Sequence, residues 1–124
     1  MRLLLDTHVV FWWLTNDPRL KAPIRKAIDE AEAVFVSAAS AWEMGIKATA
    51  GKLRVPNDLE EQLRRHRFTE LPISVAHARL ASELPPHHKD PFDRMLVAQA
   101  VAESLTLLTV DALLTRYECK VMRA

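Results

Sequence analysis

Leu3-Leu4-Leu5-Asp6-Thr7-His8-Val9-Val10-Phe11-Trp12-Trp13-Leu14 is the stretch that decides the fold. Three leucines in a row, cut off by an acid, have the pattern of a buried strand whose carboxyl end meets a polar site. Thr7 to Leu14 then reads as a helix, and Asn16-Asp17-Pro18 breaks it. A buried strand leading directly into a helix opens an α/β unit, and the rest of the chain repeats the alternation.

Ala22 to Glu32 is predicted as a second helix with Pro23 in its first turn, followed by a strand at Val34-Phe35-Val36. Ser37 and Ser40 both offer N-caps for a helix through Trp42, Glu43, Ile46 and Lys47 that stops near Gly51. Asn57 or Asp58 caps a helix with Leu59 and Leu63 on one face and Glu60, Glu61, Arg64 and Arg65 on the other. A short strand at Glu70 to Ser74 and a helix from Val75 to Leu84 follow, the helix ended by Pro85-Pro86. Phe92 to about Glu103 is a strong helix, Leu105 to Leu108 a buried strand, Ala112 to Tyr117 a helical turn and Cys119 to Met122 a last strand. The expected fold is an α/β domain with a mainly parallel central sheet.

Composition narrows the function. The chain has 124 residues, is 49% apolar and 27% charged, and therefore reads as one globular domain, residues 1–124. A formal net charge of +1 excludes attachment to nucleic acid by gross charge and permits a local basic patch beside an acidic pocket. The single cysteine, Cys119, excludes a disulfide framework and a thiolate zinc site and fits a reducing compartment. Two glycines, Gly45 and Gly51, exclude a P-loop and a G-x-G-x-x-G fingerprint. The opening apolar run is too short for a signal peptide and Val9 to Leu14 too short for a membrane span, so a cytoplasmic protein with no membrane partner is expected.

Four acids stand where such a sheet places its sites, beyond the carboxyl ends of the strands or one helical step further. Asp6 follows the first strand, Asp111 follows the fourth, and Glu43 lies in the helix after the second. Asp93 shares a helix face with Leu96, Val97 and Ala100, an apolar side on which a lone carboxylate is costly. Each acid also has a local reading: Asp6 and Asp111 as helix caps, Glu43 as the i,i+4 partner of Lys47, Asp93 as an acid favoured at a helix start. Together they suggest carboxylates sharing a divalent cation, which removes their mutual repulsion; oxygen ligands without cysteine select Mg²⁺ or Mn²⁺. Such a centre suits phosphoryl chemistry.

These motifs resemble the PIN-domain family, most closely the VapC-type toxins of type II toxin–antitoxin modules. The residues that carry the resemblance are Leu3-Leu4-Leu5-Asp6-Thr7-His8, the Ser37 to Lys47 helix, Asp90-Pro91-Phe92-Asp93-Arg94 with its continuation to Ala100, and Leu107-Leu108-Thr109-Val110-Asp111. It implies a PIN-like three-layer α/β/α sandwich and an Mg²⁺- or Mn²⁺-dependent endoribonuclease with Asp6, Glu43, Asp93 and Asp111 as catalytic and metal-binding acids. Thr7 and Thr109 match polar positions that orient carboxylates or waters. Asp90 also matches, and its own residues favour N-capping across Pro91. The resemblance further implies an RNA substrate, a VapB-type antitoxin partner and a homodimer.

The adjacent Trp12 and Trp13 cannot both face the core of one helix, so one should cover an interface or stand at the surface. His87, His88 and Lys89 with Arg94 offer a basic rim for RNA phosphates, or a solvated loop. Arg64, Arg65, Arg67 and His66 read as a solvated helix face, with an RNA track as the other reading. Two other readings stand beside the nuclease. One is a PIN-like module that binds RNA or protein without cutting; the complete acid set argues against it. The other is a Mg²⁺-binding signalling receiver, whose phosphoacceptor should end a mid-chain strand, whereas Asp58 follows Pro56 at a helix start.

Overall fold

A computed structural model describes residues 1–124. The chain forms β1 (Arg2–Leu5), α1 (Thr7–Leu14), α2 (Ala22–Glu30), β2 (Ala33–Ser37), α3 (Ala38–Thr49), α4 (Leu59–Arg65) and β3 (Thr69–Leu71). It continues through α5 (Val75–Glu83), α6 (Pro91–Glu103), β4 (Thr106–Thr109), a 3₁₀ turn (Ala112–Arg116) and β5 (Val121–Arg123). No helix is long and apolar enough to cross a membrane.

The five strands lie in the order β3-β2-β1-β4-β5, and every pairing is parallel. The expectation of a mainly parallel sheet is met without exception. Side chains alternate faces along a strand, so β1 splits its leucines. Leu3 and Leu5 pack with Val34, Val36, Val9, Ile28, Met44 and Leu63 on the face carrying α1 to α4. Leu4 packs with Leu107, Leu96, Val97 and Ala100 on the face covered by α6. All three leucines are fully buried, each worth roughly 1.5–3 kcal/mol in water exclusion. Helices on both faces of one sheet make the α/β/α sandwich.

The chain builds outward from β1 to β2 and β3, then returns to add β4 and β5 on the other side. The strand order therefore reverses between β1 and β4, and ligand crevices open beyond the carboxyl ends at such a point. The backbone N–H of Asp6 donates to the Leu108 carbonyl at 2.9 Å, extending the β1–β4 ladder to the first acid.

Some boundaries differ from expectation. The third strand is Thr69–Leu71 instead of Glu70 to Ser74, because Pro72 cannot donate to a ladder. The last strand is Val121–Arg123, and α2 ends at Glu30. Ser37 alone caps α3, accepting from the Ala39 N–H; Ser40 lies inside the helix, fully buried. Asp58 stands before α4, but its side chain makes no capping bond.

Candidate active site

Asp6 is 2% exposed, and its carboxylate is held on both oxygens. Oδ1 accepts the Val9 N–H at 2.8 Å, which caps α1. Oδ2 accepts the Thr109 hydroxyl at 2.6 Å and the Val110 N–H at 3.0 Å, both from the end of β4. Burial pushes the Asp6 pKa up, and these three bonds oppose it. Thr109 also joins two acids, since its hydroxyl oxygen accepts the Asp111 N–H at 3.0 Å.

Asp93 sits in the first turn of α6, its Oδ2 3.4 Å from His88 Nε2. Its backbone N–H and that of Phe92 donate to Asp90 Oδ1 at 3.3 and 2.8 Å, so Asp90 is the helix cap. The Asp93 pKa is pushed up to about 7, chiefly by burial and then by the charge of Asp90. His88 opposes this, while Asp6 and Glu43 push in the same direction. The first acid, the α3 acid and the α6 acid therefore act on one another through space. Glu43 is 8% exposed on α3, and its Oε2 lies 3.1 Å from Lys47 Nζ, so the local i,i+4 pair exists at the site itself.

Asp111 Oδ1 accepts the Leu113 N–H at 2.9 Å and caps the 3₁₀ turn. Its Oδ2 lies 2.7 Å from His88 Nε2, and Asp93 Oδ2 lies 3.4 Å from the same nitrogen. Burial alone would raise the Asp111 pKa; the Leu113 N–H, His88 and Arg123 together outweigh it and hold it below the usual value. His88, Asp93 and Asp111 each present one ligand-type atom within 4.8 Å of the others, whereas Asp6 and Glu43 fall outside this tight group.

Thr7 does not touch an acid: its hydroxyl donates to Ser40 Oγ at 3.1 Å, tying α1 to α3. Of the two readings of His87, His88, Lys89 and Arg94, the basic rim is not assembled. Arg94 is spent inside the fold, its guanidinium donating to the carbonyls of Ala81 and Leu84 at 2.8 and 2.9 Å and of Pro85 at 3.0 Å. It closes the carboxyl end of α5, where unpaired carbonyls gather. His87 stacks edge-on against Tyr117 and Lys89 is exposed. Arg64 and Arg65 pair with Glu61, as a solvated helix face would. Trp12 and Trp13 are both half-buried, one under Arg19 and the other against His66 and Phe68. Two placements are absent from the sequence reading above. His88 reaches the acids only through the tertiary path of its loop, which the doubled His-His gave no means of orienting. Trp42, 66% exposed and edge-on to Phe92 at 5.3 Å, could have been found from its place beside Glu43 on an otherwise apolar helix.

Fold and site together define an α/β domain with a carboxylate centre at the carboxyl edge of its sheet. The chain belongs to the PIN-domain family, whose model matches residues 3–118. It is similar to Ribonuclease VapC22 of Mycobacterium tuberculosis (strain ATCC 25618 / H37Rv), 31% identical over 113 residues, 88% of this chain and 86% of that protein. Among solved structures, VapBC2 from Rickettsia felis bound to a promoter DNA fragment has a TM-score of 0.74 at 15% identity, over 100% of this chain and 99% of that one. FitAcB from Neisseria gonorrhoeae has a TM-score of 0.68 at 21% identity, over 98% and 96%. These two likenesses are of fold. The family resemblance read from the four motifs is borne out.

Proposed function

We propose that this chain is a divalent-metal-dependent endoribonuclease acting as the toxin of a toxin–antitoxin pair. The observation that carries the reading is the pressure on Asp93, a carboxylate pushed up to about 7 by burial and three neighbouring acids. Carboxylates gathered in this way repel one another, and a shared cation would relieve that cost.

The donors fit the ion. All four acids offer carboxylate oxygen, the hard ligand type suited to Mg²⁺ or Mn²⁺. Asp6, Glu43, Asp93 and Asp111 would hold it. Bound there, the cation supplies neutralisation of phosphate charge and an activated water for hydrolysis of a phosphodiester. The chain's own residues set up the acids. Asp6 Oδ2 spends both lone pairs on Thr109 and Val110, leaving one acceptor position on Oδ1 beside the bond from Val9. Asp90 fixes the start of α6 and hence the Asp93 backbone. Lys47 adds a cation beside Glu43.

RNA as substrate is supported by a cavity of about 190 Å³ lined by Thr7, His8, Phe11, Trp12, Arg19 and Lys47. Its aromatic and cationic walls suit a stacked base and its phosphate, and Lys47 links it to Glu43. A protein partner, here a VapB-type antitoxin, is supported by the exposed pair Trp42 and Ile46 on α3, which flank Glu43, with Trp42 edge-on to Phe92. A homodimer is part of the same proposal and rests on the family resemblance. Induced expression in a bacterial host should arrest growth, and Asp6→Asn should relieve the arrest at equal protein level. Equal arrest by both forms would refute the catalytic reading.

A further inference from the structure

We propose that His88 is a positioning residue for the acidic centre: its Nε2–H holds the Asp111 carboxylate toward Asp93, and the ring does not itself bind the cation. The inference rests on the metal-dependent reading above. At first sight His88 is a ligand, because Nε2, Asp93 Oδ2 and Asp111 Oδ2 lie close enough to share one ion. The other ring nitrogen decides against that. His88 Nδ1 accepts the backbone N–H of Asp90 at 3.0 Å, so it carries no proton, and the ring's proton is on Nε2. A nitrogen bearing a proton has no lone pair for a metal. It donates instead, at 2.7 Å to Asp111 Oδ2.

The surrounding loop fixes this arrangement. The His88 N–H donates to the Tyr117 hydroxyl at 2.9 Å, and that hydroxyl donates to the Pro85 carbonyl at 2.9 Å. Arg94 binds the His88 carbonyl at 3.3 Å and the Pro85 carbonyl at 3.0 Å. The ring is therefore anchored from its backbone, its Nδ1 and its Nε2 at once, and it is only 15% exposed in its side chain. Asp111 follows a strand on a short turn, with one oxygen given to the Leu113 N–H. The His88 bond restrains the other oxygen and leaves each with a free acceptor position. Outer partners of this kind typically contribute 10–100-fold to metal affinity.

The test uses the full chain with Mn²⁺ for affinity and Mg²⁺ for spectroscopy. Calorimetric titration with Mn²⁺ should show at least about 10-fold weaker binding for His88→Leu, with His88→Gln, whose amide N–H reaches the Nε2 position, recovering most of the loss. Nitrogen NMR of the wild type should place the His88 proton on Nε2 both without and with Mg²⁺. A proton moved to Nδ1 on metal addition would make His88 a ligand and overturn the proposal; this reading needs no variant and survives a His88→Leu that folds poorly. Unchanged Mn²⁺ affinity in a folded His88→Leu would also overturn it while leaving the metal centre standing. No Mn²⁺ binding by the wild type would remove the metal-dependent reading, and the positioning role with it.

Discussion

Asp93 is the residue on which the most forces meet. Its pKa is raised, so protons bind the folded state more tightly than the unfolded one. Stability from this group is full below the ordinary value of 3.8 and is lost as pH rises through about 7. Asp93→Asn removes the cost of the charge while keeping the shape. In EDTA it should raise stability by roughly 1–3 kcal/mol at pH 8, with a smaller gain at pH 5, as read by denaturant titration. No gain at pH 8 would mean that the fold does not penalise the charged Asp93 carboxylate. Thr109 makes a separate case. Its hydroxyl donates to Asp6 and accepts from Asp111, so Thr109→Val leaves a buried carboxylate and an amide short of a partner. The expected loss is about 1–3 kcal/mol, with Thr109→Ser recovering much of it in the same titration.

At the scale of elements, the local signals worked where they were self-contained. β1 was legible because three leucines buried on alternate faces need no knowledge of their neighbours, and the cap at Asp6 is a bond to a residue three positions on. The stop of α3 was legible too, since Gly51 has φ +75°, a left-handed conformation that glycine adopts without strain. α6 ends at Glu103, where the sequence reading placed it, although Ser104 takes the same left-handed region at φ 56° with no glycine there. Its turn is closed by the Leu105 N–H on the Ala100 carbonyl at 2.9 Å. Left-handed backbone costs an L-residue about 1–2 kcal/mol, partly offset by the entropy a glycine loses. Ser104→Gly should therefore stabilise by about 0.5–1 kcal/mol, seen as a rise in Tm; a fall would mean that the Ser104 side chain contributes more than its backbone strain costs. Ser40 misled as a cap because its hydroxyl accepts that of Thr7 across two helices, a pairing over 33 positions that no window of sequence contains.

Across the whole molecule, the site is a product of strand order. Asp6 and Asp111 stand 105 positions apart, yet β1 and β4 are neighbours, and Thr109 spans the gap with one hydroxyl. Asp6 and Asp111 stand out in the sequence at strand ends and Asp93 at a helix start, whereas Glu43 lies midway along α3 and its own spacing shows only the pair with Lys47. The grouping of the acids could not be read: His88, Asp93 and Asp111 form the tight cluster, and the loop that delivers His88 is fastened by Arg94 and Tyr117. The same arrangement that keeps Asp93 under pressure without a cation is the one proposed to work with it. The most direct measurement is cleavage of RNA by the purified protein with Mg²⁺ or Mn²⁺, in EDTA, and with Asp93→Asn beside the wild type. Cleavage should need the metal and be lost in the variant. Cleavage that survives EDTA, or that survives in a folded Asp93→Asn, would contradict the metal-dependent reading.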